Sequence, residues 1–470
     1  MTQAREPPSA SIDPADFSAI ELLDLYRRRS LSPVEAMQAV VARAEAYEPK
    51  LSALFAFEPE RALREARLSE TRWLRGEPRA LEGVPVTLKE NIATLGTPVP
   101  LGTAARPLQP AAEDAPPAAR LREDGAIIFA KTTMPDYGML SSGLSSFHPL
   151  TRNPWDLARS PGGSSAGAGA AAAAGYGPLH VGTDIGGSIR LPAGWCGVFG
   201  LKPSLGRIPI DPPYYGRVAG PMTRCVEDAA LMMRTVSRPD ERDPMSLPYQ
   251  DLPWLDLRLN VRGLRLGVMM EAGVGLDLDP EVRAAIEQAA ATFASAGAVV
   301  EPVPAFITRT MLDGLDDFWR QRAWADIGRL SEDERRRVLP YILAWAEGGR
   351  SLTGAQVYEG MHQMIVMRHA AVSACRGFDF LLSPVSPVPA FAAELASPIH
   401  DPERPFEHIG YTVAFNMSEQ PAASINAGYT SAGLPIGLQI VGQRFDDVGV
   451  LRLGRAFEDL RGPQRPWPIP

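Results

Sequence analysis

Two glycine-serine turns separated by an alanine-rich run limit what this chain can fold into more than any other feature. The turns occupy residues 161–165 (Pro-Gly-Gly-Ser-Ser) and 184–188 (Asp-Ile-Gly-Gly-Ser), and the run occupies 166–177. The run is too short and too rich in glycine to cross a membrane, so it predicts a tightly packed, buried helix. Glycine pairs let the backbone turn with converging N–H groups, and each pair delivers one serine hydroxyl to a fixed position. The pattern therefore predicts a hydrolase with an oxyanion hole.

Helix and strand patterns alternate along the chain and predict an α/β fold. A helix at 115–124 precedes an apolar strand at 126–130. The order strand, helix, strand recurs at 264–270, 280–296 and 299–302. We therefore expect one large domain with a mixed, mostly parallel, twisted β-sheet that helices cover on both faces.

The same patterns divide the chain into one catalytic region and two short ends. Residues 16–460 form the expected catalytic domain. Within it, the mostly helical region 308–376 is expected to be variable, and it is either a cap over the active site or a second small domain. The segment 1–15 and the Pro-rich tail 461–470 are expected to be disordered or loosely held.

Composition and charge exclude several classes of protein. The net charge of −8 disfavours nucleic-acid binding, and no apolar stretch reaches the length of about 18 residues that indicates a membrane span. The three cysteines and six histidines lack metal-ligand spacing, and the start of the chain lacks a secretory signal pattern. We expect a cytoplasmic monomer or homodimer without a metal or other cofactor.

A lysine at the end of an apolar strand completes the candidate chemistry, because a lysine kept neutral can activate a serine. Lys89 follows the strand pattern 84–88 and lies 75 residues before Ser164, which lies 24 residues before Ser188. With these spacings and their flanking segments, the chain resembles the amidase signature family of serine hydrolases. The resemblance extends over most of the chain, through the segments 81–91, 151–156, 200–206, 220–222 and 433–439.

The resemblance implies a role for each of three polar residues. Ser188 is the implied nucleophile, Lys89 the implied base, and Ser164 the serine that relays the proton between them. Ser164 is further implied to follow a cis peptide bond from Gly163. Because burial depresses the pKa of a lysine, activity is expected to rise toward alkaline pH. The reaction passes through an acyl-enzyme, and the backbone N–H groups expected to form the oxyanion hole are those of Ile185, Gly186, Gly187 and Ser188.

Four residues around the catalytic positions have two interpretations each. Asp184 and Arg190 are expected to form an ion pair that stiffens the loop, and the alternative is that Arg190 meets a substrate carboxylate. Thr183 is either scaffold or a hydrogen-bond partner of the bridging serine. Glu419 stands where the family more usually has glycine, and it either alters the charge of the pocket or belongs to a turn.

Apolar and aromatic residues outside the turns predict a hydrophobic substrate pocket. The candidates are Tyr137, Met139, Leu140, Trp319 and Phe415. Ordinary core packing is the alternative for all five. A pocket of this kind favours small aryl or alkyl amides as substrates, with esters and carbamates (urethanes) open to the same acyl-transfer chemistry.

Two other functions are alternatives to a stand-alone hydrolase. The first is a component of a tRNA-dependent amidotransferase that releases ammonia from glutamine or asparagine, which would require partner subunits. The second is a nucleotide-binding protein whose glycine-rich turns cradle phosphates. The chain lacks the GxxxxGK motif followed by Ser or Thr, and it lacks a GxGxxG that opens a helix after a strand. The nucleotide-binding alternative is therefore disfavoured.

Overall fold

The computed structural model describes residues 13–470. Most of the segment expected to be loosely held, residues 1–12, lies outside the described residues. At the start of the described chain, Asp13 caps a short 3-10 helix, Pro14–Asp16, and both Asp13 and Asp16 form ion pairs with Arg43. These ion pairs join Asp13 and Asp16 to the rest of the described chain.

Helices surround the sheet along the whole described chain. The first two begin at the capping boxes of Ser18 and Ser32, where the sequence predicts them. The α-helices within residues 13–470 are α1 (Ala19–Arg28), α2 (Pro33–Leu51), α3 (Pro59–Arg75), α4 (Pro116–Glu123), α5 (Ala166–Ala174), α6 (Arg190–Cys196), α7 (Val226–Val236), α8 (Pro280–Ser295), α9 (Arg309–Ile327), α10 (Glu332–Arg335), α11 (Pro340–Glu347), α12 (Gly354–Cys375), α13 (Ala414–Met417) and α14 (Asp447–Leu460). No helix among these residues is both long and apolar enough to cross a bilayer.

One large β-sheet forms the centre of the fold. Its strands are β1 (Leu54–Phe55), β2 (Pro85–Lys89), β3 (Ile127–Thr132), β4 (Leu179–Asp184), β5 (Phe199–Lys202), β6 (Val218–Thr223), β7 (Arg265–Val268), β8 (Val299–Pro302), β9 (Phe380–Pro384), β10 (Ala422–Tyr429) and β11 (Pro435–Val441). Their spatial order is β1-β3-β2-β4-β6-β5-β10-β11-β9-β7-β8. A single α/β domain with a mixed sheet is therefore confirmed.

The expected predominance of parallel pairing is wrong. Within residues 13–470, four strand pairs are parallel, namely β2–β3, β2–β4, β7–β8 and β7–β9. The other six are antiparallel. The physical reason lies in the connections, because the short turn between β10 and β11 can only return the chain in the opposite direction, whereas β2, β3 and β4 are joined by long crossovers.

The alanine-rich run forms α5, which is buried along its whole length as predicted. Its glycines permit close approach of the backbone, since a Cβ on Gly167 would lie 2.2 Å from Ala53 O. The helix begins immediately after Ser165 and ends at Gly175, which has the left-handed φ of 76°. The small side chains therefore let α5 lie directly against the sheet behind the first turn.

The helical region 308–376 packs on the sheet and shares a core with it. Trp319 on α9 and Trp345 on α11 belong to the same buried apolar cluster as Leu381 of β9 and Val441 of β11. The tail 461–470 has no regular secondary structure, yet it contacts the body through Trp467, whose ring lies 4.6 Å from the Arg224 guanidinium.

Candidate active site

The parallel pairing of β2 with β4 places the lysine and the second glycine-serine turn at one edge of the sheet. The register pairs Leu88 with Val181, so Lys89 at the end of β2 lies beside the last residues of β4. The turn 184–188 begins where β4 ends. Side chains that follow the carboxyl ends of neighbouring parallel strands converge, which is where α/β proteins build their sites.

Lys89 is fully buried and donates hydrogen bonds to two serine hydroxyls. Its Nζ lies 2.8 Å from Ser164 Oγ and 3.1 Å from Ser165 Oγ. Burial holds the pKa of Lys89 well below its usual 10.5, and the positive charge of Arg217 lowers it further. The lysine is thus placed, and electrostatically prepared, to accept a proton from a neighbouring hydroxyl.

The first turn delivers Ser164 to the lysine, and the Gly163–Ser164 peptide bond is cis, as the family resemblance implies. A Cβ on Gly163 would lie 2.6 Å from both N and O of Ser142, so only glycine fits there. Ser165 also contacts Lys89, which the sequence interpretation missed, and its hydroxyl donates to Thr183 O at 3.1 Å. The doubled serine in the motif was the signal that could have indicated this second contact.

Ser188 lies at the wall of a cavity and is the most accessible of the three serines. Its residue is half-buried, whereas Ser164 is only 3% exposed. The structure contains no hydrogen bond between Ser188 Oγ and Ser164 Oγ, although the backbone N–H of Ser165 donates to Ser188 O at 3.2 Å. A serine hydroxyl rotates about one bond, and catalytic hydrogen bonds commonly tighten when substrate binds.

The backbone of the second turn offers three of the four expected oxyanion donors. The N–H of Gly187 donates to Asp184 Oδ1 at 2.8 Å, so the expectation that it faces the substrate is wrong. The cause is the buried Asp184 carboxylate, which draws this N–H inward. The N–H groups of Ile185, Gly186 and Ser188 have no acceptor among residues 13–470.

Arg190 anchors the turn and leaves no donor for a substrate. Its Nε and Nη2 donate to the two carboxylate oxygens of Asp184 at 3.0 Å and 2.9 Å. The remaining donors of this fully buried guanidinium go to Thr412 O, Gln439 Oε1 and Asn416 Oδ1. Burial alone would raise the pKa of Asp184, but Arg190 holds it below its usual range. The expected ion pair is present, and the alternative of a substrate contact at Arg190 is excluded.

Thr183 and Glu419 have structural contacts. Thr183 Oγ1 accepts a hydrogen bond from Asn91 Nδ2 at 3.2 Å and makes no hydrogen bond to Ser164, which favours the scaffold interpretation. Glu419 is buried with a left-handed φ of 63°, and its carboxylate pairs with Arg368 and Arg444. The charge of Glu419 is therefore neutralised by two arginines.

Three of the five candidate pocket residues line the cavity at Ser188. Met139, Leu140 and Trp319 do so, whereas Tyr137 lies outside its wall. Phe415 is also outside, because it is fully buried against Phe306 with ring centroids 6.4 Å apart. Other residues that the sequence interpretation did not assign to the pocket also line this cavity, namely Gly138, Ser141, Ile185, Gly186, Leu191, Phe406 and Ile409. No local motif marks Phe406 or Ile409, since they reach the cavity only through packing of a distant segment.

A model of the amidase family matches residues 35–451. The chain belongs to the amidase family. This range includes Lys89, Ser164 and Ser188, and the match confirms the resemblance that the motifs indicate. The chain is therefore an enzyme that acts on amide C–N bonds.

Relatives within the family differ in the activities that their names describe. A glutamyl-tRNA(Gln) amidotransferase subunit from Myxococcus xanthus (strain DK1622) is 34% identical, over 94% of this chain and 97% of its own. A bacterial aryl acylamidase of the amidase signature enzymes is 29% identical with a TM-score of 0.86, over 94% of this chain and 96% of that chain. The structure of 6-aminohexanoate cyclic dimer hydrolase is 28% identical with a TM-score of 0.87, and the match covers 96% of this chain and 97% of that chain.

Proposed function

We propose that this amidase cleaves its substrate through an acyl-enzyme, with Ser188 as nucleophile, Ser164 as proton relay and Lys89 as base. One observation carries the proposal. The buried Lys89 Nζ lies 2.8 Å from Ser164 Oγ, at the edge of the sheet where Ser188 faces a cavity. A buried lysine with a depressed pKa is neutral over a wider pH range and can take a proton from a serine.

The proposed reaction proceeds in two halves. Ser188 Oγ rotates toward Ser164 and attacks the amide carbonyl, while its proton passes through Ser164 to Lys89. The N–H groups of Ile185, Gly186 and Ser188 then stabilise the oxyanion. Lys89 returns the proton through Ser164 to the leaving amine, and the C–N bond breaks. Water hydrolyses the remaining ester by the same proton path in reverse.

The cavity lining supports apolar amides as the first substrate class. Met139, Leu140, Trp319 and Ile409 form apolar walls around Ser188. Such walls suit an aryl or alkyl group beside the carbonyl. Esters and carbamates present the same carbonyl with a different leaving group, so they are expected to be turned over by the same residues.

A second candidate substrate is the side-chain amide of glutamine or asparagine, cleaved as part of a tRNA-dependent amidotransferase. The relatives favour this candidate over the first, because the 34% identical Myxococcus xanthus protein is a component of such an enzyme and is matched over 97% of its length. The aryl acylamidase is less similar, at 29% identity. A component of this kind would act with partner subunits.

Labelling with a fluorophosphonate probe and peptide mapping test the catalytic roles. We expect an adduct on Ser188 that Ser188→Ala abolishes and that Lys89→Met slows strongly. Ser431→Ala, at an exposed serine in the β10–β11 turn, is the matched control and should label normally. Comparison of Ser164→Ala with Ser165→Ala separates the two hydroxyls on Lys89, and the relay requires the larger loss at Ser164. An adduct on another serine refutes the proposal.

Turnover by the purified chain alone distinguishes the two substrate classes. Hydrolysis of anilides and short alkyl amides without any partner supports the first. Release of ammonia from glutamine that appears only when partner subunits have been added supports the second. Absence of both activities, together with an unlabelled Ser188, would contradict the proposed chemistry itself.

A further inference from the structure

Two arginines, Arg217 and Arg322, lie on segments that adjoin the cavity wall, and among residues 13–470 no carboxylate forms an ion pair with either. Arg217 directly precedes β6, and the antiparallel register that pairs Asp184 with Val218 brings it beside Ile185. Ile185 is part of the cavity wall. Arg217 therefore lies at the same edge of the sheet as the turn that carries Ser188.

The second arginine belongs to the helical region and contacts Tyr214, three residues before Arg217. Arg322 lies on α9, three residues after Trp319, so the two side chains share a face of the helix, and Trp319 lines the cavity. The Arg322 guanidinium lies 3.9 Å from the centre of the Tyr214 ring. The backbone N–H of Arg217 donates to Tyr214 O at 3.0 Å. Tyr214 thus joins both arginines to one turn.

The contacts of both guanidinium groups within the described chain are with uncharged partners. Arg217 Nη1 donates to Pro212 O at 3.3 Å, and Arg322 stacks on Tyr214. Burial and the like charge of Arg322 lower the pKa of Arg217 to about 10, while Asp211 acts in the opposite direction. Two half-buried cations that repel each other raise the free energy of the folded state unless an anion binds between them. Arg190, by contrast, has every donor occupied by protein acceptors.

We propose that Arg217 and Arg322 form a subsite for a carboxylate group of the substrate, so that the preferred amide carries a negative charge away from the scissile bond. This inference rests on the proposed function, because it places the subsite beside the Ser188 cavity. Two guanidinium groups can donate several N–H bonds to one carboxylate, and such charge-assisted bonds are shorter and stronger than neutral ones. Free glutamine and a carboxylated aryl amide both satisfy this chemistry.

Paired substrates test the subsite. The probes are anilides that carry a carboxylate on either the acyl or the amine side, each with a methyl counterpart of the same shape. We expect the unmodified enzyme to prefer one of the carboxylates, and Arg217→Gln or Arg322→Gln to reduce kcat/KM for it by about 10- to 100-fold. For the methyl counterpart, kcat/KM should change by less than about threefold in the same variants. Added salt should weaken the preference.

The measurements are made on the pH plateau, because the charge of Arg217 also lowers the pKa of Lys89. Arg258→Gln, at an arginine whose side chain is 91% exposed, is the control for loss of one positive charge. Equal losses on charged and neutral substrates, or no preference for a carboxylate, overturn the subsite. Normal labelling of Ser188 in Arg217→Gln shows that the variant folds. If Ser188→Ala retains turnover, the proposed function fails instead.

Discussion

Replacement of Arg190 by methionine measures how strongly the nucleophile's turn is anchored. Methionine keeps most of the side-chain volume but removes all the hydrogen bonds that the guanidinium donates to Asp184 and its other partners. Removal of one member of a buried ion pair costs about 3–5 kcal/mol, because the other charge stays buried. Asp184 would retain hydrogen bonds from Gly187 N and Asn416 Nδ2. We therefore expect a loss of about 3 kcal/mol, at the lower end of that range.

Urea unfolding of Arg190→Met, Asp184→Asn and the double variant provides the assay. Each single substitution leaves the other member of the pair buried without its partner. The loss of unfolding free energy in the double variant should therefore be about 1–2 kcal/mol smaller than the sum of the losses in the two single variants. Arg368→Met is the matched control, because Arg368 pairs with Glu419 while its side chain is 29% exposed and Arg444 also neutralises that carboxylate. The control should lose about 1 kcal/mol or less. A loss below about 1 kcal/mol at Arg190, or full additivity, would refute the reasoning.

Three further predictions follow from burial and geometry. Lys89 must be neutral to accept a proton, and its pKa is well below 10.5. We therefore expect kcat/KM to rise with pH and to level off before pH 10.5. A pH profile of kcat/KM whose rise is centred at 10.5 would contradict this prediction. Gly186→Ala places a Cβ 3.0 Å from Trp319 Cη2, which narrows the cavity. We therefore expect kcat/KM to fall more for substrates with bulky acyl groups than for those with an acetyl group. Equal losses of kcat/KM across a series of acyl groups would contradict this prediction. Because Phe415 is in the core, Phe415→Leu should lower the free energy of unfolding by about 1–3 kcal/mol in urea titrations and leave kcat/KM unchanged. A selective change in substrate preference would instead place Phe415 in the pocket.

Local motifs in the sequence predicted which residues meet at the candidate site. The spacings of Lys89, Ser164 and Ser188 belong to a family pattern, and the structure brings Lys89 and Ser164 within 2.8 Å. The cis bond after Gly163 and the buried alanine-rich helix are also present. The buried helix follows from the small size of its alanine and glycine residues, whereas the cis bond was expected from the family resemblance.

The tertiary structure decided which neighbours each group meets. Contacts between distant segments place Phe415 in the core and Ile409 at the cavity. The fold likewise turns the N–H of Gly187 toward Asp184 and brings Arg217 beside Ile185. The direction of the strands was likewise set by the connections rather than by strand composition. A sequence pattern shows which face of an element is apolar, but only the assembled packing shows what that face touches.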